Sequence, residues 1–267
     1  MAAVTPRRGS SWWRWVVLLI AGLYFLLPLA AALRFAGLKA FGAVFTQPGF
    51  FPSLWLSLRL AAVTWIISMA LMIPTTVYVH LRMPRARRLL ESVTILPIVI
   101  PPVVLIIGVL QVMPLALRAS VWMLGLEYVI LAMPFAYRAI DAGLRAIDVK
   151  TLTEASSSLG GGPLTTLWRV LLPNLRTSVL SATILIVAMV LGEFTMASLA
   201  LKETFPVWIV EFDQLNANIS VAASIFALAV TWIFLMLITV IGSRRSRRSG
   251  GAEVTLFTVA PRETIGN

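Results

Sequence analysis

The sequence predicts an all-α membrane protein with six transmembrane helices and one long polar loop between the fourth and the fifth. Three observations carry this. Hydrophobic residues make up 59% and charged residues only 12% of the 267 positions, against roughly 45–50% and 25% in soluble domains. Apolar runs of about 20 residues, the length that crosses a bilayer, recur along the chain. Between them the basic residues gather in short clusters, a distribution that sets membrane topology and does not build a nucleic-acid-binding face. The net charge of +11 is therefore no argument for a nucleic-acid partner. Cysteine is absent, which excludes disulfides, thiolate metal sites and redox chemistry at sulfur.

Met1 to Arg14 is a short basic tail with Arg7, Arg8 and Arg14. Trp15 to Leu33 is uncharged and long enough for a first span. A signal peptide is the alternative reading; the length of the run and its weak Ala30-Ala31-Ala32 end favour a retained span. Arg34 to Pro52 mixes Gly, Gln and Pro and reads as a loop. Ser53 to Val79 is the second span. Arg59 lies near its outer end, within snorkelling reach of the interface, and Pro74 predicts a kink. His80 to Glu91 is a basic loop with Arg82, Arg85, Arg87 and Arg88. Ser92 to Met113 is the third span. Its Pro97, Pro101 and Pro102 predict an irregular helix packed inside the bundle, away from lipid.

Gln111 to Ser120 connects to the fourth span, Val121 to Ala139. Glu127 is costly deep in lipid, so the span alternatively runs from Tyr128 to Leu144 with Glu127 at the outer mouth. Thr177 to Leu201 is the fifth span and holds Glu193, roughly 24 Å from its start. Lys202 to Asn218 reads as a loop with Glu203, Glu211 and Asp213, and Ile219 to Gly242 as the sixth span. The chain divides into a tail at 1–14, a transmembrane domain at 15–243 whose polar loop occupies 145–176, and a basic, disordered tail at 244–267. Only Arg34, Lys39, Arg118 and Lys202 fall in the loops opposite the basic clusters. The positive-inside rule then puts both termini and the polar loop in the cytoplasm.

That loop, Asp148 to Pro173, is patterned as two short helices joined by a glycine hinge. Asp148 is placed to cap the first helix. Leu152, Ala155, Ser156 and Leu159 recur at helical spacing and make one narrow face. Gly160, Gly161 and Gly162 stop the helix, and Pro163 suits the first position of the next. Leu164, Leu167, Trp168 and Leu171 form a second stripe, which Pro173 ends. The residues alone leave two readings: an amphipathic hairpin lying on lipid headgroups, or a knob docked into another protein.

The stretch resembles the cytoplasmic "EAA" loop of permease subunits of ATP-binding-cassette importers. Glu154-Ala155-Ser156 is followed by three residues, Gly160, nine residues, and then Val170-Leu171-Leu172-Pro173, which is the family's spacing. Ser156 stands for the second alanine and Val170 for isoleucine. Ser57-Leu58-Arg59-Leu60, Leu96-Pro97 with Pro101-Pro102, Met133-Pro134-Phe135 and Leu191-Gly192-Glu193-Phe194 also look like these permeases, so the likeness extends from about Ser53 to Gly242. It implies that Asp148, Glu154, Ala155, Ser156, Gly160, Leu164, Trp168 and Pro173 couple the chain to ATPase subunits. It also implies a second permease subunit, identical or a sister, and an extracytoplasmic solute-binding protein. Each permease would supply half a pore in the bacterial cytoplasmic membrane. Glu193, Glu127 and Phe194 are the expected path or gate residues. For Glu193 the competing reading is a structural ion pair with Arg59 or Lys202.

The sequence lacks a G-x-x-x-x-G-K-[ST] stretch, so ATP and magnesium are expected on the partner ATPase and no cofactor or metal on this chain. Its single histidine, His80, sits beside the basic loop, and no G-x-S-x-G setting offers a nucleophile. These gaps argue against an intramembrane enzyme. The absence of an internal repeat argues against a stand-alone secondary transporter or channel. The Ser-Leu-Gly run after Glu154 is similar to that of permeases for polyamines, ferric iron, thiamine, phosphonates and oxyanions. The acids on the outer side lean toward a cation, so a polyamine is the first expected substrate.

Overall fold

The computed structural model describes residues 12–250, and side chains to residue 240. Arg7, Arg8, the side chains of Arg244, Arg245, Arg247 and Arg248, and the tail from 251 to 267 lie outside the described residues. The described chain is helical in α1 (Trp12–Ala36), α2 (Leu38–Val44), α3 (Phe50–Arg82), α4 (Arg87–Val99), α5 (Pro102–Val112), α6 (Leu115–Arg118) and α7 (Val121–Arg145). It continues through α8 (Val149–Ser158), α9 (Pro163–Thr165), a π-helical turn (Thr166–Leu171) and α10 (Leu172–Asn174). The last elements are α11 (Arg176–Leu191), α12 (Thr195–Leu199), α13 (Phe205–Asp213) and α14 (Ala217–Gly250). Helices α1, α3, α7 and α14 are each long and apolar enough to cross a membrane. Two bent pairs raise the number of spans to six if each pair counts as one.

Helix α7 is the centre of the bundle. Leu124, Tyr128, Ala132, Ala136, Ile140 and Leu144 are all fully buried along it. Helices α3 and α11 close over this surface and α4 adds a third neighbour. In lipid, apolar residues gain nothing by leaving one oily medium for another, so helices associate through close contact of small side chains. The pattern fits. Helix α3 turns Ser53, Ser57, Ala61, Thr64 and Ser68 inward, and α11 turns Ala182 inward. Gly143 lets α7 and α11 touch: a methyl group there would run into the Ser178 side chain and lie 3.0 Å from Leu175.

A second cluster sits at the start of α3. Phe50 is fully buried among Phe45, Phe51, Phe205, Trp208 and Phe226, with ring centroids 5.0–5.7 Å away. Polar groups fix its edges. The Ser57 hydroxyl accepts from the Phe205 amide at 2.8 Å, and the Trp208 indole donates to the Pro48 carbonyl at 3.0 Å. This cluster is why residues 202–218 are not an open loop. Phe205, Val207 and Trp208 bury themselves, and α13 packs on α3 and α14. For the same reason part of the expected loop at 34–52 is helix α2, whose Ala40 and Val44 join the cluster.

Four spans differ from their sequence reading. The third is broken at Ile100–Pro101, where α4 and α5 meet at 94°. Pro97 stays inside α4, as membrane helices tolerate proline where neighbouring groups re-satisfy the freed carbonyl. The pair is also not enclosed: Val99, Val103, Val104 and Ile107 are exposed, and Ile106 alone in α5 is buried. Helix α7 runs unbroken from Val121, where the Ser120 hydroxyl accepts from the Trp122 amide, so Glu127 lies inside it and not at its mouth. The fifth span stops at Leu191, ten residues before the expected Leu201, and α12 follows after a break. At the other end, α14 carries on past Ser243 to Gly250, into what was expected to be tail.

The Gly143 contact gives a direct test. Gly143→Val should lower the melting temperature of the detergent-solubilised protein by several degrees, since overpacking costs roughly 1–3 kcal/mol. Gly42→Val, at a position with open space, should leave it unchanged. Thermal unfolding monitored by tryptophan fluorescence reads both.

Candidate functional site

The hairpin from Asp148 to Leu175 stands at the same end of the bundle as the Arg82–Arg88 corner. Its first limb starts as the sequence predicts. Asp148 Oδ1 accepts from the Thr151 amide at 3.1 Å, and Oδ2 accepts from the Thr151 hydroxyl at 2.7 Å. These bonds hold the exposed Asp148 carboxyl below its ordinary pKa. The limb ends at Gly160, which takes a left-handed φ of 80°.

The inward faces differ from the expected ones. Val149, Leu152, Thr153 and Ser156 turn toward the bundle, at i, i+3, i+4 and i+7. Ala155, Glu154 and Leu159 turn out. In the second limb Thr166, Leu167 and Leu171 point in, while Leu164 and Trp168 point out. Pro173 does not end the second limb. It lies within α10, and the chain turns at Leu175 into α11, with a 78° bend.

A buried bond ties the limbs together. Ser156 Oγ and Thr166 Oγ1 lie 2.8 Å apart, Thr166 also donates to the Gly162 carbonyl, and the Gly161 amide donates to the Ser156 carbonyl at 2.8 Å. A side chain at Gly161 would stand 2.5 Å from Ser156 Oγ. Gly160 is therefore needed for its backbone angle and Gly161 for its lack of volume. The result is a rigid hairpin whose outward surface carries Leu159, Leu164 and Trp168, at 90%, 72% and 64% exposure, with Glu154 beside them. A groove of about 1010 Å³ separates the hairpin from the last turns of α3.

Just beneath the hairpin an ion cluster joins two helices. Asp141 on α7 is buried and takes Arg87 of α4 at 2.7 Å and Arg145 of its own helix at 2.7 Å. Tyr137 packs one turn earlier, its hydroxyl 3.5 Å from the Arg87 carbonyl. Sequence reasoning passed over Asp141, because a single acid near a helix end carries no motif. The available signal was its i, i+4 spacing to Arg145.

At the opposite end of α7 the expected path residues come together only in part. Glu193 sits in the break between α11 and α12. Its Oε1 accepts from the Met196 amide at 2.8 Å; its Oε2 accepts from the Tyr128 hydroxyl at 2.8 Å and the Ala197 amide at 3.3 Å. Neither Arg59 nor Lys202 pairs with it. Arg59 lies over the Trp55 ring at 5.1 Å, and Lys202 donates to the Ala119 carbonyl. Glu127 is only 4% exposed, and neither carboxyl oxygen has a hydrogen-bond partner among the described residues. Phe194 follows Glu193 in the break and is exposed.

Residues 72–248 match the family model for the binding-protein-dependent transport system inner membrane component. The chain belongs to this family. It is 30% identical over 196 residues to the molybdenum transport system permease protein ModB of Mycobacterium tuberculosis, covering 68% of this chain and 74% of ModB. It is 29% identical over 133 residues to the sulfate transport system permease protein CysW of Synechococcus elongatus, covering 47% of this chain and 46% of CysW. Among solved structures, a chain of a bacterial transporter involved in import of the acidic polysaccharide alginate superposes with a TM-score of 0.68 at 15% identity. That match covers 88% of this chain and 96% of the other and shows the shared fold.

The protein is thus a multi-pass inner-membrane permease component of an importer, not an enzyme. The family match begins within α3 and takes in α7, the hairpin and α11. The expectation of a polyamine substrate gains no support from these relatives, which are named for molybdenum and sulfate. It rested on counting acids on one side of the membrane. That count includes Glu193, whose carboxylate is already committed to hydrogen bonds from Tyr128 and two α12 amides.

Two substitutions test this geometry. Asp141→Asn should destabilise the solubilised permease by about 2 kcal/mol. That is less than the roughly 3–5 of a fully buried pair, because Arg145 is half exposed. Arg145→Gln should cost under about 1 kcal/mol. Denaturant titration of helicity measures both.

Proposed function

We propose that this permease imports an oxyanion, with molybdate the first candidate, as half of a pore completed by a second permease copy or sister subunit. Its ATPase subunits dock on the outward surface of the Asp148–Leu175 hairpin, and ATP and magnesium bind there and not on this chain. A solute-binding protein delivers the anion on the opposite side. Both termini and the hairpin are then cytoplasmic, as the arginine clusters require.

One observation carries the docking assignment. Leu159, Leu164 and Trp168 are large apolar groups held outward on a hairpin whose inner face is locked by the Ser156–Thr166 bond. Exposed apolar groups on a rigid support outside the lipid are the signature of a partner surface. Glu154 and Ala155 share that surface, Asp148 and Gly160 fix its ends, and Pro173 lies at its exit toward α11. The mechanism follows. ATP binding draws the two ATPase subunits together, the hairpins move with them, and the spans rock to open outward. Hydrolysis returns them.

The substrate assignment rests on the molybdenum and sulfate relatives and on how the acids are used. Glu193 is saturated by three donors, and Glu127 is shut away from solvent. Neither presents an open negative charge to a passing anion. In this reading Glu193 is the strut that holds the α11–α12 break, Glu127 packs behind it, and Phe194 is the exposed gate group.

Uptake in proteoliposomes holding the permease, its ATPase and its binding protein tests both parts. Labelled molybdate should be taken up in an ATP-dependent way and be displaced by sulfate or tungstate, not by putrescine. Displacement by putrescine alone would sink the oxyanion assignment. Leu164→Asp with Trp168→Asp should cut uptake at least about tenfold and release the ATPase in detergent, since buried aromatic anchors contribute about 2 kcal/mol or more each. Glu154→Arg and Gly160→Val should also uncouple hydrolysis from uptake. Full coupling in all of these variants would remove the hairpin from the interface.

A further inference from the structure

The corner between α3 and α4 carries four arginines, of which only Arg87 pairs with a carboxylate among the described residues. The run is Arg82-Met83-Pro84-Arg85-Ala86-Arg87-Arg88, with a 3-10 turn at Pro84–Ala86. Arg87 turns inward to Asp141. Arg82, Arg85 and Arg88 are exposed, and among the described residues none of the three pairs with a carboxylate. Pro84, Arg85 and Arg88 line a recess of about 380 Å³, and Arg82 lines the neighbouring groove of about 1010 Å³. The three cations lie within seven residues of the chain, and each gains from an anion placed beside it.

The surroundings say where that anion comes from. The groove beside Arg82 is mixed: Val77, Tyr78 and Leu81 of α3 line it with Leu167 of the hairpin, but so do His80, Asp148, Lys150 and Glu154, so it offers no hydrocarbon surface. On the other side, Leu89, Val93 and Leu96 form an exposed stripe on α4 at i, i+4 and i+7. This stripe starts one residue after Arg88 and runs away from the guanidinium groups. A soluble phosphate would need the cations alone. A cationic head that leads directly into the apolar α4 stripe, at the level where α3 ends, fits a molecule with an anionic head and a hydrocarbon body.

We infer that Arg82, Arg85 and Arg88 bind the phosphate of an anionic phospholipid in the leaflet at the hairpin's end of the bundle. Its acyl chains lie on the α4 stripe. Guanidinium groups suit this task because they offer paired donors to phosphate oxygens and keep their charge. A lipid held here touches the end of α3 and the start of α4 at once. It would wedge the corner that Arg87 and Asp141 already clamp from inside.

The test uses the full chain in nanodiscs of phosphatidylcholine with and without phosphatidylglycerol. Lipid retained after mild delipidation is counted by native mass spectrometry. Wild type should retain phosphatidylglycerol and melt at a higher temperature with it. Arg88→Gln should weaken retention about fivefold, as expected for one basic group at a membrane surface. The variant with Arg82, Arg85 and Arg88 all changed to Gln should lose retention and the thermal gain, yet match wild type in pure phosphatidylcholine. Arg138→Gln removes one exposed charge elsewhere and should change nothing. Three results overturn the inference: retention unaffected in the triple variant, equal losses in Arg88→Gln and Arg138→Gln, or displacement of the lipid by soluble glycerol phosphate. Expulsion of the lipid when the ATPase is added would also overturn it, by giving the corner to that subunit.

Discussion

Close approach of α7 to α3 and α11 is the constraint on which the rest of this protein depends. In a bilayer the hydrophobic effect does not drive helices together, so contact area and polar satisfaction must. Small residues on α3, Ala132 and Ala136 on α7, and Gly143 at the α11 crossing supply the contact. The two polar clusters sit toward the two ends of α7. Asp141 closes one end with two arginines, and Tyr128 closes the other through Glu193. The central helix is therefore fastened at each end by a different kind of bond, one ionic and one neutral-to-anionic.

On the proposed docking reading, the hairpin shows how a surface is prepared for a partner. A pair of short helices of this size is marginal in isolation. Here the inner face is held by Val149 and Leu171 against the bundle and by the Ser156–Thr166 bond between limbs. That leaves the outer face rigid without any stabilisation from the partner. Ser156 is instructive. It stands where the EAA pattern that the loop resembles has alanine, and its hydroxyl finds Thr166 across the hinge and leaves no buried donor unsatisfied.

Much of this was legible in the sequence, for physical reasons. Long apolar runs and arginine clusters report on membrane partition, which depends on composition more than on neighbours; α1, α3, α7 and α14 were all foreseen. Asp148, Gly160 and Pro163 were read correctly because caps and hinges act within a few residues. What failed was what depends on distant partners. The helical face of α8 was assigned to Ala155 and Leu159, whereas packing against the bundle selects Val149 and Thr153. Residues 202–218 looked polar and loose, yet Phe205 and Trp208 pull them into the aromatic cluster around Phe50. Glu193 lost its expected cationic partners because a tyrosine 65 residues earlier and two amides of α12 reach it first. No local pattern records such a meeting.

The 78° bend at Leu175 has a mechanical consequence. Helix α11 is a straight rod of sixteen residues, roughly 24 Å long, and the rigid hairpin is set nearly crosswise on one end of it. A crosswise arm on a stiff rod works as a crank. Tilting the arm lifts or lowers the rod along its own axis, and sliding the arm sideways swings it. The far end of that rod is the break at Gly192–Phe194, where the Glu193 carboxylate is tied to Tyr128. Force applied to the hairpin thus arrives, with little lost to bending, at a joint across the thickness of the bundle.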